Sequence, residues 1–186
     1  VVCFTSVLVA SSTITYKTNS YTNLLMILLL SMNCITVSQN LFSVYVFMEI
    51  AGIASFIMIA IYREDISLEG AFKYLVMSCI AGASILTGCA FLFTLTGSLQ
   101  FADLNVSGLI GGSTSTRVML SASAILLLSG FLIKAGVAPF HNWLPDAYQS
   151  ADASVSVILS GAVNKAAGIY GIITVMRIFK DLPGIH

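Results

Sequence analysis

Polar residues punctuate this chain at intervals too wide for a soluble fold. Residues 1–16, VVCFTSVLVASSTITY, form one apolar stretch that is short for a membrane span, and a polar turn over 17–20 follows it. From residue 21 to residue 62 a single charge, Glu49, interrupts about 40 residues, twice the roughly 20 needed to cross about 30 Å of hydrocarbon. The pattern predicts two helices there, 21–38 and 40–62, parted near Ser38-Gln39-Asn40. Arg63, Glu64 and Asp65 make the densest charge cluster, and Gly70 precedes the next apolar run. Residues 63–70 therefore read as an exposed loop and 71–96 as a span. Residues 97–116 are rich in Gly, Ser and Thr and read as a loop with at most a short surface helix. A fifth span covers 117–140, and after the linker HNWLPDAYQSAD a sixth covers 152–179. The expectation is an all-α, polytopic transmembrane bundle of about six spans in a single domain over 1–186, with 1–16 a partial span.

Composition agrees with that reading. The 186 residues are 58% hydrophobic and 9% charged, whereas soluble domains carry about 25% charged residues. Eight Lys and Arg balance eight Asp and Glu, which gives no basic field for nucleic acid. The cations do not segregate to one set of loops, so they assign no orientation in the membrane. Cys3, Cys34, Cys79 and Cys89 lie in apolar stretches without ligand spacing and read as small buried hydrophobes, not as a metal centre. The chain opens on Val1, directly in an apolar run, and is expected to be a piece of a longer protein.

Four ionisable residues fall inside apolar runs: Glu49, Lys73, Lys134 and Lys165. A charge at mid-bilayer costs at least about 2.5–3.5 kcal/mol on insertion scales, so each needs a partner or a task. Lys73 lies just beyond Gly70, where its stem can reach the headgroups. Glu49, Lys134 and Lys165 are deeper and are expected to point into protein, with Gly161, Ala162, Ala166, Ala167 and Gly168 allowing close helix approach around Lys165. One carboxylate cannot neutralise three ammoniums, and burial disfavours a charged lysine, so at least one is expected to exchange its proton. Movement of Glu49 toward or away from a lysine would then load or unload a proton.

In GFLIKAGVAPFHNWLPDAY, Pro139 removes a backbone donor and crowds the carbonyl of Ala135, while Gly136 adds freedom. The fifth helix should open just after Lys134, and such breaks at membrane depth mark ion or substrate sites. His141, beyond the break, reads equally well as a proton group or an interfacial histidine.

These segments resemble the antiporter-like subunits of respiratory complex I, Mrp-type sodium/proton antiporters and membrane-bound energy-converting hydrogenases. VFMEIAGIASFIMIA is similar to the family's glutamate helix, EGAFKYLVMSCIAGASILTGCAFLFTLTGSLQFADL to its lysine helix and loop, FLIKAGVAPFHNWLPDAY to its broken helix, and SVSVILSGAVNKAAGIYG to the helix after it. The resemblance implies the first half of an inverted-repeat fold, about the third to eighth helices. It implies a charge pair between Glu49 and either Lys73 or Lys134, Lys134 as central proton carrier, Lys165 as the next carrier and His141 on the access route. It also implies a subunit of a translocase such as NADH:quinone oxidoreductase, moving protons or sodium in a bacterial or archaeal plasma membrane or the mitochondrial inner membrane. No cofactor is expected in this chain; iron–sulfur clusters, flavin or nickel–iron would belong to a redox arm among its partners. Asp152 stands where the family has a proline, which leaves the linker geometry open.

Overall fold

The computed structural model describes residues 18–61, 64–104 and 106–180. Its helices are α1 (Thr18–Val37), α2 (Leu41–Ile59), α3 (Asp65–Thr96), α4 (Thr114–Ala135), α5 (Trp143–Ser150), α6 (Ala153–Ile158) and α7 (Gly168–Ile178), with a short 3-10 turn at Ser107–Leu109. A π-helical stretch, Leu159–Ala167, joins α6 to α7. Five stretches are long and apolar enough to cross a membrane: Asn19–Val37, Leu41–Ile59, Asp65–Thr96, Thr114–Ala135 and Ala153–Ile178. The partial span expected over 1–16 lies outside the described residues.

Local chemistry sets the helix ends. Asn40 caps α2 by accepting from Phe42 N–H at 2.8 Å, and Ser113 caps α4 by accepting from Thr116 N–H. The loop after α3 is stitched to the α1–α2 turn, with Leu41 N–H donating to the Leu99 carbonyl and Phe101 N–H to that of Gln39, both at 3.0 Å. Asp152, the departure from the family pattern, caps α6: its carboxylate accepts from Ser154 N–H and from Ser154 Oγ, each at 3.0 Å.

Two expected boundaries need correction. Residues 65–70, read as loop, are the first turns of α3. Asp65 lies in the first turn, where the helix dipole favours an acid, and Gly70 is a contact residue. A Cβ there would collide with Ser150 Oγ and stand 3.0 Å from the Asp146 carbonyl. The span expected to reach residue 140 with a break after Lys134 ends its helix at Ala135, with Gly136 as the C-cap. Gly136 takes φ +64°, and its N–H donates to the Ile133 carbonyl while Val137 N–H donates to that of Leu132, both at 3.1 Å. This left-handed closure completes the helix before Pro139 is reached.

The broadest packing is between α3 and α4, with α2 on α1 and α3, α5 along α3, and α7 against α4. Small residues permit it. A Cβ on Gly88 would meet Leu127 Cγ at 2.7 Å, one on Gly168 would meet Ala135 Cα at 2.6 Å, and buried Ser123 donates to the Gly88 carbonyl at 2.8 Å. Two apolar clusters result. One gathers Tyr21, Leu28, Met58, Tyr74, Trp143 and Ile158; the other gathers Leu41, Met48, Ile85, Leu127, Phe131 and Val175. The outer faces stay apolar, with Leu30, Phe72 and Ile125 each 65% exposed, as a lipid-facing surface requires. Cys89 is buried, Cys34 half-buried and Cys79 exposed, which corrects the expectation of burial for Cys79.

Candidate functional site

The junction between the two apolar clusters holds the charges. On α2, Glu49 follows Met48 of one cluster and precedes Ala54 of the other. On α4, Lys134 occupies the last turn, one turn beyond Phe131. Its Nζ lies 2.8 Å from Glu49 Oε1, with side chains 9% and 27% exposed for the lysine and the glutamate. The same ammonium donates to Ser78 Oγ of α3 at 2.9 Å. Glu49 Oε1 is buried and receives no well-aligned hydrogen bond among the described residues, so this contact is ionic. The resemblance left Lys73 and Lys134 as alternative partners of Glu49; the structure pairs Glu49 with Lys134.

Gly52 and Gly82 make room for the pair. A Cβ on Gly82 would stand 2.7 Å from Glu49 Oε1, and one on Gly52 would stand 3.1 Å from Ser78 Oγ. Two cavities of about 10 Å³ each flank Lys134, and both are bounded by Tyr74 and Asn164. About that volume accommodates one water molecule. Trp143 and Ser78 bound the first cavity, and Trp143 Nε1 is a buried donor without a partner among the described residues. Asn164, 3% exposed, donates to Tyr148 Oη at 3.1 Å. Burial raises the Tyr148 phenol above its ordinary value, against the smaller lowering effect of the Asn164 bond, and keeps it neutral.

Lys73 is half-buried and engaged elsewhere. Its Nζ lies 2.7 Å from Asp146 Oδ2 of α5 and 2.7 Å from Glu69 Oε1 one turn earlier on α3. His141 is exposed in the turn before α5. Lys165 does not point into the described protein as expected: it is exposed on the bundle surface, as are Gly161 and Ala166. It lies in the π-helical stretch Leu159–Ala167, where Asn164 is buried and its neighbour Lys165 is exposed. Among the described residues no three His, Cys, Asp or Glu side chains gather as a metal site would need.

Ser78, Gly82, Asn164 and Asp146 were missed from sequence. Tyr74, Ser78 and Gly82 recur every four residues along one face of α3, a spacing that places a hydroxyl between an aromatic and a gap.

Residues 38–185 match the sequence family described as NADH:quinone oxidoreductase/Mrp antiporter, transmembrane. The chain belongs to that family. As a family member it is 32% identical over 164 residues to NADH-quinone oxidoreductase subunit N of Francisella tularensis subsp. holarctica, covering 87% of this chain and 33% of that one. It is 34% identical over 139 residues to a Na(+)/H(+) antiporter subunit of Bacillus subtilis, covering 75% and 27%. Respiratory complex I from Thermus thermophilus with bound aureothin contains a similar chain, with TM-score 0.74, 26% identity and coverage of 93% and 38%. An archaeal respiratory membrane complex, the membrane-bound sulfane sulfur reductase, contains another, with TM-score 0.81, 26% identity and coverage of 99% and 38%. The chain thus spans about a third of the length of the relatives it matches. It is an integral membrane antiporter-like subunit with an all-α fold.

Proposed function

We propose that this chain is part of a proton-translocating membrane subunit of a redox-driven ion pump similar to NADH:quinone oxidoreductase, and that protons move through its buried Glu and Lys residues. The observation that carries the reading is the Glu49–Lys134 ion pair, 2.8 Å long and set between two apolar clusters. An opposite charge at this distance favours the ammonium, and withdrawing it in a dry interior favours proton release. Ser78 keeps one neutral contact on the ammonium when the carboxylate moves away. The water-sized cavities supply a place for the proton's next acceptor. Lys165, exposed on the surface of the bundle, is the next carrier, and His141 belongs to the access route. Partners are other membrane subunits and a redox arm that carries the cofactors.

The experiment is Glu49→Gln in the full-length subunit within its membrane complex, with acidification of vesicles followed by a pH-sensitive dye. Loss of acidification with normal assembly is expected; a normal rate would sink the reading. The 34% identity to a Na(+)/H(+) antiporter component favours a second setting, a sodium/proton antiporter without redox chemistry. Mass spectrometry of the co-purifying subunits separates the two, because iron–sulfur, flavin or nickel–iron proteins accompany only the redox-driven complexes.

A further inference from the structure

The linker helix α5 runs along α3 through a line of specific contacts. Gly70 of α3 meets Ser150, Lys73 meets Asp146, and Tyr74 meets Trp143 edge-to-face with ring centroids 5.1 Å apart at 81°. These residues recur at i, i+3 and i+4 on α3 and return at about one-turn steps on α5, so the two helices are joined face to face and antiparallel. Ala147, on the same side of α5, is fully buried. The contact closest to Lys134 is Tyr74 on Trp143, and both rings bound the cavity beside the Lys134 ammonium. Tyr148 of α5 also accepts the hydrogen bond that orients Asn164, a wall of both cavities. The position of α5 therefore sets the shape of the space around Lys134.

Within this line the charged contact is Lys73 with Asp146, side chains 42% and 45% exposed. Lys73 lies about 7 Å along α3 from Ser78, the residue that touches Lys134. It has no contact with Glu49, and its ammonium is shared between two carboxylates at the rim of the bundle.

We propose that the Lys73–Asp146 pair is a positioning latch that holds α5 in place and thereby fixes the Trp143 and Asn164 walls of the Lys134 cavity. Lys73 then acts through α5 and carries no proton itself. This inference rests on the proton-translocation reading of Lys134, and it changes the role that the family resemblance implies for Lys73.

Charge reversal tests it in the full-length subunit within its complex. Lys73→Asp alone and Asp146→Lys alone leave like charges facing each other, and each is expected to slow vesicle acidification about 10- to 100-fold, the scale at which a small displacement remote from the chemistry is felt. The double variant Lys73→Asp/Asp146→Lys is expected to restore at least half of the rate. A second measurement is independent of transport: Ala147→Cys in a background without Cys3, Cys34, Cys79 and Cys89 reports alkylation. Its alkylation should quicken in each single variant and return to the slow rate in the double. Single variants that transport normally would overturn the latch. So would a double variant that transports no better than the singles while the introduced thiol is protected, because an ammonium at position 73 would then be required for its own chemistry. Glu49→Gln run in parallel separates the two readings. If it transports normally the proton reading fails, whereas the alkylation rates still decide whether the pair holds α5.

Discussion

Gly82 of α3 faces the Glu49 carboxylate so closely that a single added carbon would stand 2.7 Å from Oε1. The carboxylate occupies space that any other residue at position 82 would take. Gly82→Ala is therefore expected to displace Glu49 from Lys134 and to reduce vesicle acidification severely. Overpacking of this kind also costs about 1–3 kcal/mol of stability. Gly88→Ala is the comparison: its Cβ would press on Leu127, 2.7 Å away at Cγ, and leave the ion pair untouched. Acidification lost only in Gly82→Ala, with thermal stability lowered at least as much in Gly88→Ala, is the expected result; equal acidification in both would remove the special place of Gly82.

A buried ion pair loses most when only one partner is removed. Lys134→Met leaves Glu49 without its cation, and Glu49→Gln leaves the ammonium with neutral contacts and no counter-charge. Each single change is expected to destabilise the subunit by about 3–5 kcal/mol, and the double change by less, since no charge is then stranded. Thermal unfolding of the complex in detergent measures this; a double variant less stable than both singles would contradict it.

Asp152 receives two hydrogen bonds from Ser154 at the start of α6. Asp152→Ala should cost about 1 kcal/mol, the usual loss for an N-cap, while Asp152→Ser should nearly match the wild type. The same melting experiment reads both, and identical curves for Ala and wild type would show that the cap is idle.

Glu49 and Lys134 were legible as sites because a charge inside an apolar run stands out in any reading of the chain. Their pairing was less so. It depends on α2 and α4 meeting across the Ser78–Gly82 face of α3, and a hydroxyl and a glycine in an apolar helix carry little signal of their own. The five spans among the described residues followed from segment length, but α3 begins at Asp65, earlier than expected: Gly70 lies against Ser150 within the helix, and a glycine before an apolar run looks the same in either role. Lys165 is exposed within a π-helical stretch, a register that a 3.6-residue period does not contain. Asp146 reaches Lys73 only because α5 lies along α3, a relation that no spacing in the chain announces.

The closure at Gly136 has one more consequence for Lys134. A helix that stops inside the bundle leaves its last carbonyls there, and their aligned dipoles amount to roughly half a negative charge at the C-terminus. Lys134 occupies that last turn, so its ammonium meets a negative field from α4 as well as that of Glu49. The backbone part of that field is fixed in place, so the switch proposed above would act through the glutamate alone.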